Sequence, residues 1–229
     1  MLKDIKPVVN IPNPSHKKGS IINKLIVFLE DTLLIFQKDN NGKVDASEEE
    51  LNQKLSLILE VYSRKKEMVF IFHHETNQKQ KKGHNRKVDI GIFNLHGDLN
   101  NPIYTIEAKR LTTTFSKNRE KEYVLGSIPE KITGGIERFK HNLHGANLEW
   151  SALVAYVQRK DNKHWFVKIN NWINEQISLK TKTLIWNTSD LLVNTCKFKD
   201  DRLAKSFSIS RKVDKSDITL NHYFVNLNI

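Results

Sequence analysis

Pro102-Ile103-Tyr104-Thr105-Ile106-Glu107-Ala108-Lys109-Arg110-Leu111 decides how the rest of this chain is read. The run opens as a β-branched, alternating strand and then sets a carboxylate and an ammonium two residues apart. Residues i and i+2 of a strand share a face, so Glu107 and Lys109 point together while the small Ala108 faces the other way. A neighbouring element can then pack closely behind Ala108. In a lysine-rich chain, Glu-x-Lys also suits an ordinary solvated strand face, so the segment before it carries weight.

That segment is Lys87-Val88-Asp89-Ile90-Gly91-Ile92-Phe93, a second short strand with one acid among apolar residues. Asp is disfavoured in strands, and an ionised carboxylate among apolar neighbours is costly unless a partner or a metal offsets it. Turn formers at Asn94, His96-Gly97-Asp98 and Asn100-Asn101-Pro102 bring the chain back into the Glu107 strand. Adjacent strands would then bring Asp89, Glu107 and Lys109 together. Two carboxylates suit Mg²⁺, a hard ion that prefers oxygen ligands, and a lysine beside them can orient water or balance charge at a phosphate.

With these residues the chain resembles the PD-(D/E)xK, or restriction-endonuclease-like, nuclease superfamily. The signature is an Asp on one core strand and Glu-x-Lys on the next, and Asp89, Glu107 and Lys109 match it one for one. Val88 stands where the motif's name has Pro. The resemblance runs from the helix around Glu50 to the strand ending near Gln158. It implies an α/β fold with an αβββαβ core, a mixed central sheet flanked by helices, to which an N-terminal helix and a C-terminal β-hairpin are added. It also implies Mg²⁺, for which Mn²⁺ can substitute, held by Asp89, Glu107, the Ala108 carbonyl and, as an extra acid, Glu50. Lys109 would hold or activate the attacking water. The expected activity is endonucleolytic cleavage of DNA phosphodiester bonds, as in restriction and phage-defence effectors of prokaryotes, with a homodimer or a partner protein as possible assemblies. Three alternatives stay open: an RNA substrate, a nuclease fold that has lost catalysis and serves as a binding or scaffolding subunit, and an unrelated basic α/β protein whose acids are salt-bridged to neighbouring lysines.

Composition bounds the rest. A chain of 229 residues fits one domain, with residues 47–158 as core and 159–229 as C-terminal elaboration. A net charge of +11 suits a polyanionic partner, although lysine-rich composition alone produces the same number. The single cysteine, Cys196, excludes an intrachain disulfide and a cysteine-cluster zinc site, and reads as a buried apolar residue. A charged start and the lack of a long apolar run point to a cytoplasmic protein with no membrane partner. No Gly-x4-Gly-Lys-Ser/Thr pattern occurs, so nucleotide-driven movement would need another subunit.

The elements follow from periodicity. Residues 21–36 carry apolar positions at helical spacing and read as a largely buried helix. Ser47 with Glu50 forms a capping box for a helix whose stripe is Leu51, Leu55, Ile58, Leu59 and Tyr62. Residues 68–75 form the first core strand; its His73 and His74 face opposite ways and cannot share a metal, and Glu75 is an auxiliary acid at most. The basic run 78–86 reads as a hairpin loop whose Lys81, Lys82 and Arg86 could grip phosphates. Residues 112–123, with Lys117 and Arg119, read as a loop over the site. Ser127, Pro129 and Glu130 then start a helix through Ile132, Ile136, Phe139 and Leu143, closed near Gly145. Gly134-Gly135 inside it costs roughly 2 kcal/mol against alanine and suggests a close backbone approach. Lys131 and Arg138 on this helix could reach phosphates or pair with Glu130 or Glu137, and His141 with His144 has ligand spacing but no third partner. Residues 151–158 form a buried central strand, 165–177 an amphipathic helix with core tryptophans, and 184–186, 191–198, 204–211 and 218–227 are strands, the last two a hairpin.

Overall fold

The computed structural model describes residues 18–78, 86–114, 120–127, 131–179, 184–193, 197–199 and 201–229. Helices α1 (Lys18–Asn40) and α2 (Glu48–Lys65) come first. Strands β1 (Phe70–Gln78), β2 (Arg86–Asn94) and β3 (Tyr104–Leu111) follow as an antiparallel meander. A 3-10 turn (Lys121–Tyr123) and the short helix α3 (Gly135–Lys140) lead into β4 (Trp150–Val157), which lies parallel to β3. Helix α4 (Asn162–Leu179), β5 (Lys197–Lys199), β6 (Leu203–Arg211) and β7 (Asp217–Asn226) complete the chain. Among the described residues the seven strands form one mixed sheet, in the order β1-β2-β3-β4-β7-β6-β5.

Alternation along the strands divides the core in two. Ile106, Ala108, Ala152, Val154 and Tyr156 face α1 and α2, packing on Leu25, Phe28, Leu29, Leu51, Leu55 and Leu59. Leu111, Leu153, Ala155 and Val157 face α3 and α4, packing on Ile136, Phe139, Trp165, Ile169 and Trp172. Each fully buried side chain of this size stabilises the fold by roughly 1.5–3 kcal/mol. Glu107 and Lys109 alternate with Ile106 and Ala108, so they lie on the α3/α4 side. The tryptophans of α4 are core, as expected, and α1 turns an exposed face (Val27 is 61% accessible) to solvent rather than being buried all round. Among the described residues no helix is long and apolar enough to cross a membrane.

Three elements differ from the sequence reading. The C-terminal strands do form the expected antiparallel hairpin, β6 with β7, but it is no appendage: β7 also pairs in parallel with the whole of β4, which makes it an interior strand of the main sheet. Residues 184–186 and 191–193, expected in strands, are not strand, and a 3-10 turn (Thr188–Asp190) lies between them; of the strand expected over 191–198 the described residues show only β5. The third helix is also shorter than expected, and the glycine pair starts it instead of interrupting it. A Cβ on Gly134 would lie 2.4 Å from the Leu125 backbone, and one on Gly135 would lie 2.8 Å from the Tyr123 carbonyl oxygen. The close approach expected from Gly134-Gly135 is therefore real, and the interior-helix penalty does not arise. Gly145 does adopt a left-handed φ of +61°, but the helix has already ended at His141.

Helix α3 is held at both ends. Glu137 Oε2 accepts from the backbone N–H groups of Gly134 and Gly126 at 3.2 and 2.9 Å. Lys140 forms a wholly buried ion pair with Asp190 (2.7 Å), which also accepts from Ser210 and from the Asn187 backbone. The turn between β6 and β7 braces the following loop: Lys212 Nζ donates to the carbonyls of Gly145, Ala146 and Leu148.

Candidate active site

The site arises where β2 and β3 separate. Their ladder pairs Ile92 with Tyr104, Gly91 with Thr105 and Ile90 with Ile106, and then stops. Continuing that register sets Asp89 opposite Glu107. The Asp89 carboxylate takes over the missing backbone bond, with Oδ2 accepting from the Ala108 N–H at 2.7 Å. On the other flank β3 stays paired to β4 through Leu111, so the strand is rigid on one side and open on the other.

Into this opening converge the three residues matched to the signature, and three more. Lys109 Nζ lies 3.0 Å from Glu107 Oε1, 2.9 Å from Glu48 Oε1 and 2.9 Å from the Ala108 carbonyl oxygen. Arg138 Nη1 is 2.5 Å from the same Glu107 oxygen. His144 Nδ1 is 3.0 Å from Glu107 Oε2, but off the N–H direction, so that contact is electrostatic and neither atom has an aligned hydrogen bond. Glu107 is fully buried, and Glu48 comes from the first turn of α2, its second oxygen accepting from the Arg110 N–H.

Burial and charge set the protonation of this cluster. Burial is the largest influence on Asp89 and, with the negative charges of Glu107 and Glu48, pushes its carboxyl up to about 8 despite Lys109 and the Ala108 N–H. Burial thus favours the protonated form of Asp89. Burial would raise Glu107 too, but the charges of Lys109, His144 and Arg138 outweigh it and hold this carboxylate far below its usual range. For Lys109 burial alone would favour the neutral amine; Glu107, Glu48 and Asp89 overcome it and keep the ammonium.

The donors Asp89, Glu107, Glu48 and the Ala108 carbonyl are all oxygens, the set that hard divalent cations take. One of them, Glu107 Oε2, is buried without a hydrogen bond. Three of these groups already surround a cation, the Lys109 ammonium. The residues thus fit Mg²⁺ or Mn²⁺ in chemistry. Among the described residues no three acid, histidine or cysteine side chains converge as a preformed cage, because Lys109 occupies the point of convergence.

Several expected site residues lie elsewhere. Glu50 is exposed on α2 and pairs with Lys54, four residues on; Ser47 does cap the Glu50 N–H at 3.1 Å, so only half of the capping box forms. Glu48 occupies the position assigned to Glu50. Glu75 pairs with Lys87 at the surface. Lys131 is exposed, and Arg138 contacts Glu107 rather than Glu137, while Glu130 lies outside the described residues. His141 caps α3 while His144 alone reaches the cluster. Lys81, Lys82, Lys117, Arg119 and Cys196 lie outside the described residues, as does the side chain of Arg86. Sequence reasoning chose Glu50 over Glu48 and set His144 aside with His141; the only signal for Glu48 was its place in the first turn of a helix leading to the signature. No family model, curated protein or solved structure matches this chain.

Proposed function

We propose that this chain is a divalent-metal-dependent nuclease that hydrolyses phosphodiester bonds of DNA. The observation that carries the reading is the convergence of Asp89, Glu107, the Ala108 carbonyl and Lys109 where β2 and β3 part. The α2-β1-β2-β3-α3-β4 order supports it, because it is the αβββαβ order that the PD-(D/E)xK resemblance implies. The net charge of +11 suits a polyanionic substrate.

In this reading Asp89, Glu107 and the Ala108 carbonyl hold Mg²⁺ or Mn²⁺, and Glu48 supplies the extra acid. The bound cation would polarise the phosphoryl oxygen and lower the pKa of water. Lys109, held as an ammonium, cannot take a proton from water. Its part is to orient the nucleophile by donating to it, and to balance negative charge gathering on the phosphoryl oxygens. His144 and Arg138 keep Glu107 ionised.

Nicking of supercoiled plasmid in EDTA, Mg²⁺ and Mn²⁺ tests the reading. The wild type should cut with either metal and not in EDTA. Lys109→Ala should lose about a hundred- to thousand-fold in rate while keeping most of its DNA affinity. Asp89→Asn should be inactive with Mg²⁺ and partly restored by excess Mn²⁺. Cleavage that persists in EDTA, or at the wild-type rate in Lys109→Ala, overturns the mechanism.

A further inference from the structure

Glu107 has more positive partners than one carboxylate requires. Lys109 and Arg138 both sit on Oε1, and His144 lies against Oε2. Lys109 is anchored independently by Glu48 and the Ala108 carbonyl. Arg138 has no second anchor of that kind: among the described residues Glu107 is the carboxylate it contacts. It also differs in exposure, with 26% of its side chain accessible against 9% for Lys109 and 2% for His144. Arg138 is thus the cation of the cluster that faces both the buried carboxylate and the solvent from which a substrate arrives.

A guanidinium presents five N–H donors in a planar fork that matches two oxygens of a phosphate. Glu107 offers it a single oxygen. A divalent cation taken up by Glu107 would neutralise that carboxylate and repel the guanidinium at short range. Helix α3 is fixed by the Lys140–Asp190 pair and by Glu137, so only the side chain needs to swing.

We propose that Arg138 is a metal-gated phosphate clamp: it neutralises Glu107 while the metal is absent and is released to a phosphodiester of the substrate when the metal binds. This rests on the nuclease reading and adds to it a residue that couples metal uptake to substrate grip.

Two measurements on the full chain test it. Mn²⁺ binding, followed by EPR without nucleic acid, should be several-fold tighter in Arg138→Gln than in the wild type, because a competing cation is gone. Anisotropy of a labelled DNA duplex, at fixed ionic strength, should show equal affinity of both proteins in EDTA. In Ca²⁺ the wild type should tighten and Arg138→Gln should lag by about tenfold, the scale of a charge-assisted phosphate contact. If Arg138→Gln weakens DNA binding equally in EDTA and Ca²⁺, the contact is permanent and the gate is wrong. If the wild type binds Mn²⁺ while Arg138→Gln matches it in every measurement, the clamp alone falls. If the wild type binds no Mn²⁺, the nuclease reading falls with it. Should Arg138→Gln fail to fold, Arg138→Lys keeps the ion pair but lacks the fork. It should bind Mn²⁺ like the wild type and lose most of the Ca²⁺-dependent gain, and an undiminished gain overturns the clamp.

Discussion

Glu48 and Glu50 stand two residues apart in the first turn of α2 and end in different chemistry. On a helix that separation turns side chains about 200° apart, so both cannot face one site. Glu50 is directed along the surface, where Lys54 is four residues away, and Glu48 is directed over the open edge of β3 onto Lys109. Glu48→Gln should weaken Mn²⁺ binding by about tenfold, the scale seen when a group supporting a metal site is removed, and should slow plasmid nicking. Glu50→Gln should leave both, and the thermal midpoint, unchanged. Loss of cleavage in the Glu50 variant with the Glu48 variant intact would restore the assignment made from sequence. The periodicity of α2 was plain, but its rotation about its own axis depends on how Leu51, Leu55 and Leu59 seat against the sheet, and no local pattern gives that angle.

Helix α3 shows the same dependence at the level of an element. Its six residues have little intrinsic stability, since a helix this short satisfies few of its own backbone groups. It exists because the chain at Leu125 lies directly on Gly134, because Glu137 ties Gly126 to Gly134, and because Lys140 is buried on Asp190. Gly134→Ala should therefore destabilise the protein by about 1–3 kcal/mol, the range for forced overpacking, in urea unfolding. It should also reduce nicking more than its stability loss explains, because Arg138 moves with the helix. An alanine variant of wild-type stability would show that the Leu125 backbone yields easily. From sequence the helix was placed too early and made too long. Apolar spacing across residues 132–143 is that of a helix, but packing against Leu125 interrupts it.

Across the whole molecule, His222 links parts of the chain far apart in sequence. It lies on β7, wholly buried, with Nδ1 2.9 Å from the Tyr123 hydroxyl and Nε2 2.9 Å from Ser208 Oγ. Burial holds its pKa down at about 3. The folded protein then binds fewer protons there than the unfolded chain, so His222 contributes stability above pH 6.5 that is lost as pH falls towards 3. Asp89 acts in the opposite sense: raised to about 8, it lowers stability as pH rises from about 4 to 8. The wild-type profile therefore mixes opposed slopes, and the difference from His222→Gln isolates one of them. Relative to the wild type, that variant should gain up to about 1.4 kcal/mol per pH unit between pH 6.5 and 4 in urea unfolding. A constant difference across that range would mean that His222 titrates normally and is not closed off from water.

The sequence by itself determined most of the elements and the alternation along them. The period-two pattern around Asp89 and Glu107 defines two strands, sets Glu107 and Lys109 on one face and Ala108 on the other, and needs only local sterics. Tertiary structure decided what those side chains meet. The parting of β2 from β3 after Ile90 is one such outcome, and the turn of Glu48 onto Lys109 and the arrival of Arg138 and His144 at Glu107 join residues 31 to 61 positions apart. The place of β7 beside β4 has the same origin. A buried strand reads as an apolar run wherever it lies in a sheet, so its neighbours are chosen by the packing of both faces and not by its own letters.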